Sequence, residues 1–170
     1  MALKIINNFV LKSGVKLSDH KILKRLLKIA GRSTCLRAKV GCILVKKNKI
    51  LLETNNNTLP KFDCSKIGCI RDIKKVPSGL NREICYGLCA EQYLLSYAAK
   101  KGISVRGGTI YVTTHPCRIC ECLIAAAGIK RVVYVRGYPD VLAQFDPLRK
   151  YGIEVIDASE YDILPKPGDV

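Results

Sequence analysis

No stretch of this 170-residue chain approaches the length of apolar sequence that crosses a bilayer, so a membrane-spanning helix is not expected. The first sixteen residues also lack the features of a secretory leader. Asn7, Asn8, Lys12, Ser13 and Gly14 break any continuous apolar core, and no small-residue cleavage site follows. Internal repeats and low-complexity tracts are absent too. Acidic residues are scarce: 14 Asp and Glu stand against 29 Lys and Arg, a formal net charge of +15. The scarcity is sharpest in residues 1–50, which hold 13 Lys and Arg and a single Asp. Such a field attracts anions such as nucleotides, tRNA or DNA, or it is merely a solvated basic face. Charge alone speaks to steering and does not choose between these.

What is present bounds the answer further. Hydrophobic residues make up 48% of the chain, too many for a disordered protein. The length suits one domain with a real core. Nine cysteines is a high count. With no sign of secretion they read as metal ligands in a reducing compartment rather than as disulfides, and a cytoplasmic protein is expected.

Three of those cysteines fall in two clusters. Cys89-Ala90-Glu91 opens one expected helix, and Pro116-Cys117-Arg118-Ile119-Cys120 opens another. The apolar strand Thr109–Thr113 lies between them. Thiolates bind zinc well, and a catalytic zinc keeps three protein ligands and one water. Helix N-termini are also where a thiolate is easiest to hold, because the dipole and free N–H groups lower its pKa. Cys89, Cys117 and Cys120 are therefore read as the ligands, with Glu91 as the acid and base beside the bound water. A closed, structural zinc would need a fourth protein ligand, for which only His115 or Cys122 is placed. In that reading Glu91 merely caps its helix.

A His or Cys followed by x-Glu, with Pro-Cys-x-x-Cys downstream, resembles the cytidine and deoxycytidylate deaminase superfamily. The usual deoxycytidylate deaminase form has His where Cys89 stands, whereas three-Cys sites occur among free cytidine deaminases. The resemblance extends over about residues 18–157. Ser33-Thr34-Cys35-Leu36-Arg37 and the Thr54–Pro60 segment look like the family's opening. There Asn57 matches its substrate-contacting Asn, while Asn55, Asn56 and Thr58 depart from its Gly, aromatic and Gly positions. Asn57 is thus a candidate substrate contact, or else simply a turn residue; Ala90 is a second candidate, and His115 reads as a substrate contact, a support behind the ligands or a packed neutral His. The resemblance also implies an α/β fold of three layers, a mixed five-stranded sheet with helices on both faces, and assembly as a homo-oligomer.

The residues agree with that fold. Ile22, Leu23, Leu26, Leu27 and Ile29 repeat at helical spacing behind an N-cap at Ser18 or Asp19. Val40–Val45 and Ile50–Glu53 form a hairpin. Helices over 91–100, 117–127 and 140–151 alternate with strands over 109–113, 131–135 and 153–156, which implies right-handed crossovers and parallel pairing. Residues 1–17 form an arm, 18–160 the deaminase domain and 161–170 a tail. The insert 61–88 carries Cys64, Cys69 and Cys85, either three free thiols or, with a fourth ligand such as Asp63, a second, structural zinc.

In such a site zinc makes a bound water nucleophilic, while Glu91 takes its proton, protonates N3 of cytosine and then carries a proton to the leaving amine. The expected reaction is dCMP to dUMP plus ammonia, by a hydrolase acting on a cyclic amidine. Alternatives are a tRNA-editing deaminase, a free cytidine deaminase, or a zinc-stabilised nucleic-acid-binding module. Three thiolates leave the zinc site one charge more negative than His with two thiolates. Three-Cys cytidine deaminases follow the Glu with an Arg that bonds a ligand sulfur, but here Gln92 stands there. Compensation is expected from Arg118, Arg37 or the two helix dipoles.

Overall fold

The computed structural model describes residues 5–6, 9–10, 17–59, 62–137 and 147–159. Two short strands, β1 (Ile5–Ile6) and β2 (Phe9–Val10), pair antiparallel within the expected arm. Helix α1 runs over Leu17–Ala30, followed by the hairpin β3 (Gly41–Lys46) and β4 (Lys49–Asn55). The insert region is a chain of small elements. These are β5 (Asn57–Thr58), α2 (Cys64–Ile67), α3 (Ile70–Ile73), a 3-10 turn at Arg82–Ile84, and β6 (Gly87–Leu88). The remainder alternates α4 (Ala90–Lys100), β7 (Thr109–Thr114), α5 (Arg118–Ala126), β8 (Arg131–Arg136), α6 (Pro147–Lys150) and β9 (Glu154–Asp157).

The main sheet has the order β4-β3-β7-β8-β9. Its β4–β3 and β3–β7 pairs are antiparallel, and its β7–β8 and β8–β9 pairs are parallel. Alternate residues on each strand point to opposite faces. Ile43, Val45, Tyr111, Val133 and Val135 meet Leu23, Leu26 and Ile29 of α1 on one side. Cys42, Leu44, Ile110, Val112 and Val132 meet Ala90 and Leu94 of α4, Ile124 of α5 and Leu148 of α6 on the other. The expected mixed five-stranded sheet with helices on both faces is thus the architecture. Helix α1 packs close: a Cβ on Gly41 would lie 2.7 Å from the Leu26 carbonyl oxygen. Gly128, at φ +73°, turns the chain out of α5 in the left-handed region that favours glycine. Among the described residues no helix is long and apolar enough to cross a membrane.

The structure differs from the sequence reading at the start of α1. Asp19 does not cap α1. It lies within the helix, 1% exposed, and accepts from Arg131 Nη2 at 2.9 Å and from the Tyr111 hydroxyl. The local signal of an acid near a helix start lost to a buried ion pair that ties α1 to β7 and β8. Of the helix expected over 140–151, the described part is α6; residues 140–146 and the tail 161–170 lie outside the described residues.

Removing one partner of a buried pair leaves the other charge uncompensated. Asp19→Ala is therefore expected to cost about 3–5 kcal/mol in urea unfolding, while Lys21→Ala on the solvent face of α1 changes it by less than about 0.5 kcal/mol.

Candidate metal centre and active site

Cys89 is the N-cap of α4 and Cys117 the N-cap of α5, both with extended backbone (ψ 156° and 163°). The Gln92 side-chain oxygen accepts from the Cys89 backbone N–H at 3.0 Å, which fixes the start of α4. Cys120 lies one turn into α5, fully buried, so it faces the same way as Cys117. Both helices lie on one face of the sheet, with β7 leading directly into α5, so the two N-termini converge.

The convergence gathers the three thiols into one buried cluster. Their sulfurs all lie within 4.8 Å of one another: Cys89 to Cys117 is 4.0 Å, and Cys117 to Cys120 is 3.4 Å. Tetrahedral zinc with 2.3 Å bonds to sulfur sets ligand sulfurs about 3.8 Å apart, so the set fits that ion. Among the described residues no other three His, Cys, Asp or Glu groups approach so closely. Neither His115 nor Cys122 joins the cluster, and Cys122 is exposed. The protein thus offers three ligands, the number of a catalytic zinc site rather than a closed structural one.

Crowding divides the thiols. Contacts with the Cys120 and Cys89 sulfurs pull the Cys117 thiol well below its ordinary range. Cys89 is pushed up to about 12, chiefly by its hydrogen bond to Cys117, and Cys120 rises for the same reason. The cation at the cluster is not one of those expected. Arg82 Nη2 donates to the Cys89 sulfur at 2.6 Å. Arg118 pairs with Glu121 at 3.5 Å, and Arg37 pairs with Asp72 at 3.3 Å.

Glu91 is the second residue of α4 and 3% exposed. Burial pushes its carboxyl up to about 7 and the Cys117 charge adds to the rise; its own backbone N–H and Arg82 pull the other way. A carboxyl poised near neutrality beside a metal-ligand cluster can both take and give a proton. Its neighbour Ala90 is fixed by a hydrogen bond from the Thr54 hydroxyl to the Ala90 carbonyl oxygen at 2.8 Å.

Glu91, Ala90, Asn57, His115, Cys89 and Cys117 all line one cavity of about 450 Å³, a size suited to a small ligand. Asn57 sits in β5, where its side-chain oxygen accepts from the Thr58 N–H at 2.9 Å and from the Thr34 hydroxyl. The departures around it need no glycine, because the backbone there is extended rather than left-handed. Asn56 does local work instead, accepting from the Val40 N–H and donating to the Ala38 carbonyl oxygen. Gly87 of β6 is needed, since a Cβ there would lie 2.8 Å from the Asn57 carbonyl oxygen. His115 packs edge-on against Tyr134, ring centroids 4.7 Å apart, with Nδ1 3.0 Å from the Pro116 carbonyl oxygen. Because the carbonyl oxygen can only accept, that contact places a proton on Nδ1.

The same cavity touches Cys64, Cys69 and Cys85 of the insert, together with Cys35. Burial raises Cys64, and then Cys69, Cys85 and Cys35 add to the rise, so four thiols share a neighbourhood wider than the first cluster. Asp63 is spent elsewhere, accepting from the Ser65 N–H and hydroxyl as the N-cap of α2. Sequence reasoning quoted Cys35 for the family opening but not as a ligand; the signal was a cysteine left over from both clusters. Arg82 had no spacing signal, because a 3-10 turn and a two-residue strand separate it from Cys89.

Residues 16–136 match the model of the cytidine and deoxycytidylate deaminase zinc-binding region. The chain is 33% identical over 111 residues to the deoxycytidylate deaminase of Schizosaccharomyces pombe, covering 64% of this chain and 34% of that protein. It is 38% identical over 112 residues to the deoxycytidylate deaminase of Mycobacterium phage D29, covering 62% of this chain and 84% of the phage protein. The dCMP deaminase of cyanophage S-TIM5, solved in complex with dCMP and dUMP, superposes with a TM-score of 0.68 at 29% identity. That match covers 84% of this chain and 98% of the cyanophage chain. The chain thus spans about a third of the length of the yeast relative and nearly all of the phage ones.

The arrangement separates ligand thiols from bystanders. Cys117→Ser and Cys120→Ser are each expected to lose the cluster's zinc, measured by metal analysis after gel filtration, whereas the exposed Cys122→Ser retains it.

Proposed function

Because the chain belongs to the cytidine and deoxycytidylate deaminase family, we propose that it hydrolyses the exocyclic amine of a cytosine nucleotide, converting dCMP to dUMP and ammonia. One observation carries the reading: two of three convergent thiols, Cys89 and Cys117, and the buried Glu91 carboxyl lie on the wall of one nucleotide-sized cavity. The dCMP and dUMP held by the cyanophage relative support the choice of substrate. Zinc, when bound by Cys89, Cys117 and Cys120, supplies a Lewis acid that makes water nucleophilic near neutral pH. Glu91 accepts a proton from the water, delivers it to N3 of the ring, and later carries a proton to the leaving amine. Its burial favours both directions of transfer, because neither the charged nor the neutral form is strongly preferred near pH 7. Asn57 and Ala90 hold the nucleotide from the β5 and α4 sides. His115 lines the same cavity as a further contact.

A second, structural zinc is part of the proposal. Cys64, Cys69 and Cys85 hold it, with Cys35 in place of Asp63 as the fourth ligand. Four thiolates make a closed tetrahedral site, which suits an insert built from two single-turn helices and a 3-10 turn. The reducing cytoplasm is where nine unpaired thiols remain available for such sites. Assembly as a homo-oligomer follows the family resemblance.

The test is loss of cytosine absorbance for the zinc-loaded protein with dCMP, dCTP, CMP, cytidine and unmodified tRNA. Turnover is expected with dCMP and should fall by at least about a thousandfold in Glu91→Gln, which cannot move a proton. Turnover of tRNA or cytidine alone would overturn the substrate assignment. Metal analysis should give two zinc ions per chain, falling to one in Cys35→Ser with Cys89, Cys117 and Cys120 intact. A value of one in the unaltered protein would overturn the second site.

A further inference from the structure

We propose that the groove between α1 and the edge strand β4 binds a single strand of nucleic acid through its phosphates. It is a second binding surface, apart from the cavity that meets the cysteine cluster, and it does not rest on the deaminase reading.

The groove has a volume of about 530 Å³ and presents Lys21, Lys24, Arg25, Lys28, Arg32 and Glu53. Five cations thus face one carboxylate, and all five are exposed. Arg25 is tied to Glu53. Among the described residues, Lys21, Lys24, Lys28 and Arg32 have no carboxylate partner.

A helix face that is only solvated commonly sets acids three or four residues from its bases, because like charges at those spacings repel. Helix α1 does the reverse. Lys21 with Lys24 and Arg25, and Lys28 with Lys24 and Arg25, stand three or four apart, and no acid lies between them. The helix keeps an arrangement that its own stability disfavours. A polyanion in the groove converts that repulsion into attraction.

The spacing selects the kind of anion. Lys21 to Lys28 covers about 10 Å of helix axis, and Arg32 carries the row past the end of α1. One nucleic-acid strand carries a charge about every 3.4 Å, so about three phosphates lie beside the helix. A lone phosphate would reach only part of the row. The rest of the lining is Ile22, Ile29 and Ile50, with no aromatic ring. The groove therefore gives sugars an apolar wall but gives bases nothing to stack on. Contacts to phosphate hold a strand without reading its sequence.

The topology explains both the shape and the separation from the cysteines. Strand β4 has β3 as its neighbour in the main sheet and ends the sheet on that side. Ile50 and Glu53 stand opposite Val45 and Ile43, the β3 residues that pack toward α1. The groove is thus on the sheet face away from α4 and α5. Walled by a helix and an edge strand, it admits one strand, whereas a duplex would meet the cations only along the rim.

The experiment is fluorescence anisotropy of a short labelled oligothymidylate with the full zinc-loaded chain across a salt series, repeated with Glu91→Gln. Four unpaired cations predict that log affinity falls against log salt with a slope of about −3. In the double variant Lys24→Ala, Lys28→Ala the slope should drop to about −1.5, with binding weakened about 10–30-fold at 0.1 M salt. The double variant Lys100→Ala, Lys101→Ala removes the same charge from the end of α4 and should change affinity less than about twofold. Equal losses in the two double variants would assign binding to net charge and overturn the groove. So would displacement of the strand by dCMP at constant ionic strength, which would put the strand in the other cavity. A duplex of the same length that binds as tightly would overturn the single-strand assignment. Thermal melts check that each variant is folded. Turnover of dCMP is expected to be unchanged in Lys24→Ala, Lys28→Ala, so the groove and the proposed activity stand or fall separately.

Discussion

Three sulfurs crowded within 4.8 Å resist being thiolates together, and the structure around them is arranged against that resistance. Two helix N-termini point their free N–H groups at the cluster, each from an extended cap residue. That convergence depends on the sheet. Helices α4 and α5 share one face and flank β7, so the loop before each begins at the same end of the strands. The close packing of Leu44, Ile110, Val112 and Val132 beneath Leu94 and Ile124 fixes the two helix axes, and with them the distance between Cys89 and Cys117. Core burial of this kind, about 1.5–3 kcal/mol per large side chain, is what offsets the cost of gathering polarizable, ionisable groups in the interior.

The insert is the second half of that arrangement. Here β5 and β6 pair, Gly87 allows the approach, and the intervening turns wall the cavity with Arg82, Cys85 and the Cys64–Cys69 segment. The wall has little apolar content of its own. Ile67, Ile73 and Leu80 are exposed, and hydrogen bonds from Arg71 to the Pro77 and Leu80 carbonyl oxygens hold the Pro77-Ser78-Gly79 turn. Such a segment gains order from side-chain clips rather than from a core, which is why cysteine chemistry is concentrated there.

Much of this was legible in the residues. Strands announced themselves as short apolar runs, as in Cys42-Ile43-Leu44-Val45, whose residues divide between the two faces of the sheet. The two cysteine clusters announced themselves by spacing that only a helix start can use. What the sequence concealed were contacts between segments distant along the chain. Asp19 read as an N-cap because local rules see only its neighbours, but its partners are 92 and 112 residues away. Arg82 was hidden for a similar reason: seven residues from Cys89 gives no helical or strand register, and only the turn and bridge between them bring guanidinium to sulfur. Of the helix expected over 140–151, the described portion is the short α6.

Net charge illustrates the same point about distance. The chain's excess of cations is concentrated in residues 1–50, and α1 exposes Lys21, Lys24, Arg25 and Lys28 to solvent. It would be natural to let that charge balance three thiolates, but α1 covers the opposite face of the sheet from α4 and α5. Two packed layers separate a helix from the far side of a sheet by roughly 10 Å or more, and solvent-exposed charges are largely screened beyond a Debye length of about 8 Å at physiological salt. The basic face of α1 can draw anions toward the molecule, yet it cannot set the protonation or donor strength of a buried sulfur. Groups in contact with the sulfurs can. The electrostatics of the cluster are therefore decided by groups within the site, the neighbouring sulfurs and the two helix N-termini above all, and not by the composition of the chain.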